Sequence, residues 1–328
     1  MKKNIAVVGC GYWGKNLVRN FHALGSLAAV CDPIAEVASR YADQYQVKNY
    51  AFSEIVCDDS IEGVVLAVPA ALHASMAIEA MSAGKHTYVE KPLAMKALDA
   101  KNMIACADRN DVQLMVGHLL QYHPAFVALR SLVQSGELGS LQYIAANRLS
   151  FGKLRSEEDV IWSFAPHDIS MILSLTGCEP KTVRTHSACI LQSDIADTAT
   201  IHLVFNPSLK AHVSVSWLHP YKEQKLTVVG KNAMAVFDDT KEWGEKLAIY
   251  RHIVRASGGS FSLEKAEVEY VEVPDSEPLR NECMHFLEVV KGAIKPLTDG
   301  REGLSVLNTL SAAASSQEKR KVVRIGDL

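Results

Sequence analysis

The segment Ile5-Ala6-Val7-Val8-Gly9-Cys10-Gly11-Tyr12-Trp13-Gly14 decides how the chain is read. Four apolar residues form a short buried strand, and the six that follow fit G-x-G-x-x-G. Lys15 to Leu24 then reads as a helix closed by Gly25, and Leu27 to Cys31 as a second strand ending in Asp32. Each glycine has a separate task. Gly9 allows the sharp turn, Gly11 lets backbone approach a pyrophosphate, and Gly14 lets the helix pack on the strand. The helix N-terminus presents unpaired N–H groups and partial positive charge to phosphates. Asp32 is placed to accept both hydroxyls of an adenosine ribose, which favours NAD over NADP. Pro33 and Ile34 add no positive charge for a 2′-phosphate, and the nearest downstream arginine is Arg40. Glycine-rich turns alone are common structural features. The order strand, turn, helix, strand, acid is what carries the dinucleotide reading.

Composition bounds the rest. The chain has 328 residues, 48% of them hydrophobic, enough for two cores. Lys and Arg number 34 against 37 Asp and Glu, a formal net charge of −3, which argues against nucleic acid or an anionic membrane as partner. Seven Cys are scattered without paired spacing, which suits a reducing compartment and neither a disulfide framework nor a zinc site. There is no H-E-x-x-H motif and no convincing carboxylate cluster, so no metal is expected. The chain runs almost at once into its first strand, leaving no room for a signal peptide, and no apolar run reaches membrane-spanning length. The expectation is a soluble cytoplasmic protein without membrane insertion.

The pattern of elements predicts an α/β protein with an N-terminal Rossmann parallel sheet and a C-terminal α+β domain carrying an open, mostly antiparallel sheet. Helices are expected over 35–46, 73–83 and 97–110, with a short acidic segment at 51–57. Strands are expected over 61–68, 85–89 and 112–116. After a helix at 124–134 the pattern changes to strands at 141–150, 181–191, 199–205, 209–217, 226–229, 233–237 and 266–273. One helix, Asp168 to Leu175, interrupts them, and Gly258-Gly259-Ser260 reads as a loop. Helices at 278–291 and 301–314 and a strand at 322–325 end the chain. The boundary falls near 118–124, giving an NAD-binding domain over 1–120 and a substrate-binding and oligomerisation domain over 121–328, with the C-terminal helix expected to pack back on the first. The second domain's sheet needs its outer face covered, so a homodimer or homotetramer is expected. Trp217, Val213 and Val215 are candidates for that face or for its core.

Three places hold residues suited to chemistry. Glu90-Lys91-Pro92 ends a parallel strand, the edge where open sheets bind ligands. A lysine facing oxidised nicotinamide, desolvated and near positive charge, loses its proton more readily and serves as acid or base. The plainer reading is a surface salt bridge at Glu90. His167, in Ala165-Pro166-His167-Asp168, is expected to open the second-domain helix, as a base or beside one; the plainer reading is a helix-cap histidine. Gly117-His118-Leu119-Leu120-Gln121-Tyr122-His123-Pro124 clusters polar residues at the domain junction, where substrate contacts are expected.

Together these stretches resemble the glucose–fructose oxidoreductase / inositol dehydrogenase family. The resemblance rests on Gly9 to Gly14, Asp32-Pro33, Val68-Pro69 with His73, Ala83-Gly84-Lys85-His86, Glu90-Lys91-Pro92, and Pro166-His167-Asp168, with Glu282 to Phe286 and the last helix matching the family's tail. It covers essentially the whole chain and implies reversible NAD-dependent hydride transfer at a sugar or cyclitol carbinol. It implies Lys91 and His167 as the catalytic pair. Cofactor contacts are implied for Gly9, Gly11, Tyr12, Trp13, Gly14, Asp32, Val68, Pro69, His73, Glu90, Lys91 and Gln121. Substrate contacts are implied for Lys15, His118, Tyr122, His123, Ser163 and Asp168. The family's usual Asp four residues before the histidine is Ser163 here, so the proton relay must differ and Lys91 carries more of it. Gly11 to Asn16 and Gly117 to Pro124 are similar to a nucleotide-sugar branch. That branch oxidises the C3 hydroxyl of UDP-N-acetylglucosamine, or of its uronic acid, ahead of a PLP aminotransferase in lipopolysaccharide biosynthesis. Two rivals stand beside it: a non-catalytic NAD- and sugar-binding regulator, and a dehydrogenase of the same fold acting on a free sugar, an inositol or a deoxysugar nucleotide.

Overall fold

Ile5–Val8 (β1) is buried at every position, as a strand covered on both faces must be. It leads through the glycine turn into Gly14–Ala23 (α1), and the alternation continues. Leu27–Cys31 (β2), Ala35–Tyr45 (α2), Lys48–Asn49 (β3), Phe52–Cys57 (α3), Gly63–Leu66 (β4), Ala70–Ser82 (α4), His86–Glu90 (β5), Ala97–Arg109 (α5) and Leu114–Gly117 (β6) follow in order. The computed structural model describes residues 2–152, 154–155, 158–257 and 259–327. Among these, β1–β6 form one parallel sheet in the order β3-β2-β1-β4-β5-β6. The order reverses between β1 and β4. Outside the carboxyl ends of strands at such a switch point, open sheets bind ligands.

The chain divides into two units, Met1–Tyr122 with Glu277–Leu307 and His123–Ser276 with Asn308–Leu328. The second begins with Pro124–Gln134 (α6), capped by the His123 ring, whose Nδ1 accepts from Ala125 N at 3.1 Å. Leu141–Phe151 (β7) and Val160–Thr176 (α7) follow. Then come Thr182–Ala188 (β8), Thr198–Asn206 (β9), Leu209–Ser216 (β10), Leu218–Gly230 (β11), Met234–Asp238 (β12) and Leu247–Tyr250 (β13). Ile253–Ser257 (β14) and Ser260–Glu264 (β15) pair as a separate hairpin, followed by Val268–Tyr270 (β16). The chain ends with Pro278–Val290 (α8), Gly300–Lys319 (α9) and Val323–Arg324 (β17). The larger sheet runs β16-β13-β12-β11-β7-β10-β9-β8-β17; its pairings are antiparallel except β7 with β10.

The structure departs from the sequence reading in three ways. First, α7 starts at Val160, eight residues before the expected start. Asp159 caps it, its Oδ1 accepting from Ile161 N at 3.0 Å and Trp162 N at 3.1 Å. Pro166 sits inside the helix, so His167 lies mid-helix and does not open it. Second, β11 begins at Leu218, and β13 and the β14–β15 hairpin were not foreseen. Gly258 of the expected loop lies outside the described residues, and Gly259 turns with φ +81°. Val213, Val215 and Trp217, candidates for the outer face or for the core, are core: they have no exposed surface, and Trp217 meets Phe164 of α7 edge-on at 6.4 Å. Third, Glu277–Leu307 belongs with the first unit. In α8, Leu279, Cys283, Phe286, Leu287 and Val290 join the cluster of β1, α1 and Tyr88, with Phe286 edge-on to Phe21 at 6.2 Å and to Tyr88 at 5.8 Å. Each such large apolar side chain contributes roughly 1.5–3 kcal/mol when fully buried, which holds α8 to that core.

Among the described residues no helix is long and apolar enough to cross a membrane.

Candidate active site

The glycines of the first turn separate by what a side chain would meet. Gly9 has φ +90°, and a Cβ there would lie 2.5 Å from the Ala67 carbonyl oxygen. A Cβ on Gly14 would sit 1.8 Å from the Gly9 carbonyl oxygen. At Gly11 a Cβ would meet nothing within 4 Å, so this backbone faces open space, as a pyrophosphate cradle requires. Asp32 directly follows β2, with both oxygens directed at backbone: Oδ2 accepts from Cys10 N at 2.7 Å and Oδ1 from Ile34 N at 3.0 Å. A cavity of about 600 Å³ opens beside them, with Gly11, Asp32, Val68 and Pro69 in its wall. Its apolar lining includes Tyr50, Phe52 and Met76, which the sequence reading did not single out. The donor set, the open glycine and the apolar slot fit NAD: Asp32 would take the adenosine ribose and the slot the adenine. Burial, then the Asp32 charge, pushes the Cys10 thiol up to about 12, so it is no nucleophile.

Four other members of the set lie nearby in sequence or space. Tyr12 is 80% exposed, with the Lys15 ammonium 5.4 Å from its ring. Trp13 donates from Nε1 to Glu90 Oε1, tying the glycine turn to the end of β5. Glu90 also accepts from Tyr88 Oη at 3.2 Å and from Lys91 N at 3.2 Å. Burial pushes the Glu90 carboxyl above its ordinary range, while the Trp13 bond and the Lys91 charge oppose it. Glu90 is therefore a held group among several donors, unlike the surface ion pair considered from sequence. Lys91 is half-buried, and its peptide bond to Pro92 is cis.

His73 is 1% exposed and spans two turns. Its Nδ1 meets Pro92 O at 2.8 Å and its Nε2 meets Val68 O at 2.9 Å. It thus fixes the chain after Lys91 to the chain after β4, and burial holds its pKa down. Lys85 of the matched motif is likewise internal, donating to Asp58 O at 2.9 Å.

The stretch 117–124 turns inward. His118 is 2% exposed, with Nδ1 2.6 Å from Glu302 Oε2. Tyr122 is buried with Oη 2.9 Å from Thr298 Oγ1, and Gln121 is buried beside it in a short 3-10 turn. His123 uses Nδ1 to cap α6 and holds Nε2 3.2 Å from Asp239. His118, Tyr122 and His123 had been expected to meet substrate, and Gln121 the cofactor. The structure engages His118, Tyr122 and His123 in internal bonds, because a polar atom taken from water must find a partner.

In the second unit, His167 is half-buried on α7, and Ser163 lies one turn earlier on the same face, buried. Asp168 is 1% exposed and takes both arms of Arg148 from β7, Nε at 2.6 Å and a terminal nitrogen at 3.1 Å. Asp168 is thus held by Arg148, a partner the sequence reading had not given it. Arg148 was missed; its being the one charged residue of strand β7 was the available signal. Among the described residues no cluster of His, Cys, Asp and Glu is arranged to hold a metal.

Comparison with known proteins agrees with this geometry. Residues 3–118 match the family model described as an oxidoreductase family with an NAD-binding Rossmann fold, and residues 126–236 match the GFO/IDH/MocA C-terminal domain. The chain is 28% identical over 302 residues to UDP-N-acetylglucosamine 3-dehydrogenase of Acidithiobacillus ferrooxidans, covering 92% of this chain and 93% of that one. A solved structure of that enzyme superimposes with a TM-score of 0.85 at 25% identity, covering 97% of this chain and 99% of that one. The NAD-dependent scyllo-inositol 2-dehydrogenase of Bacillus subtilis is 24% identical, over 95% of this chain and 93% of that one. With the glycine turn, Asp32, the strand-end lysine and both family models in register, the chain belongs to the GFO/IDH/MocA family of NAD-binding oxidoreductases.

Proposed function

We propose that the protein oxidises the C3 hydroxyl of UDP-N-acetylglucosamine with NAD, giving the 3-keto sugar nucleotide for later 3-amination. The observation that carries this is the end-to-end likeness to a dehydrogenase of that substrate, over more than nine-tenths of both chains. Bound NAD supplies a hydride acceptor. Lys91 takes the proton of the reacting hydroxyl as the carbinol hydrogen departs with its electron pair and the C–O bond becomes C=O. Glu90 and the turn at Pro92 hold the lysine backbone, and His73 fixes that turn. His167 is the second proton-transfer group of the proposal. A homo-oligomer assembled on the second unit's open sheet, and a PLP aminotransferase acting next, belong to the same proposal.

The test is a substrate panel read by the appearance of reduced nicotinamide: UDP-N-acetylglucosamine, its uronic acid, free N-acetylglucosamine and myo-inositol. Turnover of the first, with a 3-keto product by mass spectrometry, is expected. Turnover of the uronic acid alone would replace the substrate, turnover of myo-inositol alone would move the protein to the cyclitol enzymes, and no turnover with NAD bound would leave a binding protein.

A further inference from the structure

One segment of the second unit turns its apolar side chains to solvent. Among the described residues, β14 and β15 form a sheet of two strands. Val254 stands opposite Leu263, and Phe261, two residues before Leu263, shares their side of the hairpin. Val254, Leu263 and Phe261 are 57%, 75% and 74% exposed. The other side carries Arg255 bound to Glu264 at 3.1 Å. A two-stranded hairpin is marginal in water by itself, so an apolar side left uncovered calls for a partner surface.

The large sheet of the same unit carries a second uncovered apolar group. On β9 and β10 side chains alternate between buried and open positions, so one face of the sheet is packed and the other is not. On β7 the packed side holds Ile144, Ala146 and Arg148, the last bound to Asp168 of α7. Phe151 has the opposite parity and is 79% exposed. Tyr221, in the bulge of β11 beside it, and Ile190 and Leu191, just past β8, are each more than half exposed. The turn at 190–191 is held in place: both backbone N–H groups donate to Asp197 Oδ2, at 2.7 and 2.8 Å, and Asp197 Oδ1 accepts from Trp217 Nε1 at 2.6 Å.

Register fixes where the two groups lie. The hairpin leaves the sheet past Tyr250, which aligns through Met234 and Val229 with Tyr143, near the start of β7. β8 ends at Ala188, which aligns through Thr198 and Ser216 with Leu149, near the end of β7. The strand from Tyr143 to Phe151 spans about 26 Å, and strands of five residues reach only about 16 Å. The hairpin also leaves from the β16–β13 edge, whereas Ile190 follows β8 toward the opposite edge. Within one chain the hairpin does not reach the Phe151 corner.

We propose that each hairpin covers the Phe151 corner of a second copy of this chain, the two copies being related by a two-fold axis between their open sheets. Such an axis, perpendicular to the line joining the two groups, exchanges them, so each copy gives its hairpin and receives its partner's. One operation thus covers both apolar groups and leaves the Arg255–Glu264 side in water. Phe151, Tyr221 and Phe261, at roughly 150–250 Å² for a whole aromatic side chain, supply in two copies about half of the ~1,600 Å² that a stable interface buries. The aliphatic neighbours and the surfaces that cover them supply the rest. The inference rests on the homo-oligomer proposed above and names the segment that locks it.

The mass of the full chain is read by light scattering for wild type and for Phe261→Ser with Leu263→Ser, both checked for folding by circular dichroism. Wild type is expected to associate at micromolar concentration, and the substituted chain to associate at least ~10-fold more weakly. A monomeric wild type overturns the oligomer and the inference together. A folded substituted chain that associates as wild type does overturns the inference alone. Contact is read with a short bismaleimide after the exposed cysteines are removed by Cys57→Ser, Cys178→Ser and Cys189→Ser. Leu263→Cys with Phe151→Cys in one chain should link two copies, and Leu263→Cys alone should not. A link from Leu263→Cys alone sets hairpin on hairpin and overturns the proposal, as does an associated double-cysteine chain that fails to link. If the serine variant does not fold, the cross-linking result decides.

Discussion

Replacing Gly11 by Ala should move stability and cofactor affinity in opposite directions. A Cβ at this position meets no protein atom within 4 Å, and Gly11 is not among the left-handed glycines. In the free protein the substitution therefore strains nothing and restricts the unfolded chain, for a gain of about 0.4–1 kcal/mol. That corresponds to a rise of roughly 1–4 °C in Tm for a unit of this size. With NAD the methyl group occupies the space through which the pyrophosphate approaches backbone. Loss of one charge-assisted bond there costs about 1.5–3 kcal/mol, or roughly 10- to 100-fold in Kd. Calorimetry of the free protein and NAD titration by fluorescence give the two numbers. Gly14→Ala is the control: its Cβ would lie 1.8 Å from the Gly9 carbonyl, so stability and affinity should fall together. Unchanged NAD affinity in Gly11→Ala would refute the placement of the pyrophosphate. A stability loss above about 1 kcal/mol would refute the reading of the open space.

Asp32→Ala should weaken NAD about 10- to 100-fold, leave NADP nearly unchanged and so narrow their ratio, measured by parallel titrations; an unaltered ratio sinks the ribose assignment. Lys91→Met should lower turnover at least ~100-fold with NAD affinity nearly intact, and His167→Asn should cost less; the reverse ranking in folded proteins would make His167 the base. Arg148→Met leaves Asp168 buried without its guanidinium and should cost about 3–5 kcal/mol in urea unfolding, most of it recovered by Asp168→Leu in the same chain. Stability against pH tests the buried carboxyl of Glu282. Its folded pKa lies above its unfolded one, so the native state keeps a proton that the unfolded chain releases, and wild type loses stability as pH rises above the unfolded value. Glu282→Gln lacks that loss and should gain on wild type by about 1.4 kcal/mol per pH unit from about pH 5 upward, until the folded value is reached; a constant difference would mean that Glu282 is ionised in the fold.

The sequence alone determined what depends on neighbouring residues. Gly9 and Gly14 are required by a turn six residues long, and the alternation from β1 to β6 follows from local periodicity, so the Rossmann unit, Asp32 and the strand-end Lys91 were legible without coordinates. Family likeness supplied His167. Tertiary structure decided which polar groups face ligand and which face one another. His118 meets Glu302 184 positions away, Tyr122 meets Thr298 176 away, and Trp13 meets Glu90 77 away. Such pairings leave no spacing in the sequence, because burial alone compels a polar atom to find its partner and the fold chooses which one. The start of α7 was misplaced for a local reason, the cap at Asp159, which sets it at Val160. Long-range packing decides α8, whose apolar stripe does not say that its cover is the first unit's core, where Glu282 too is buried.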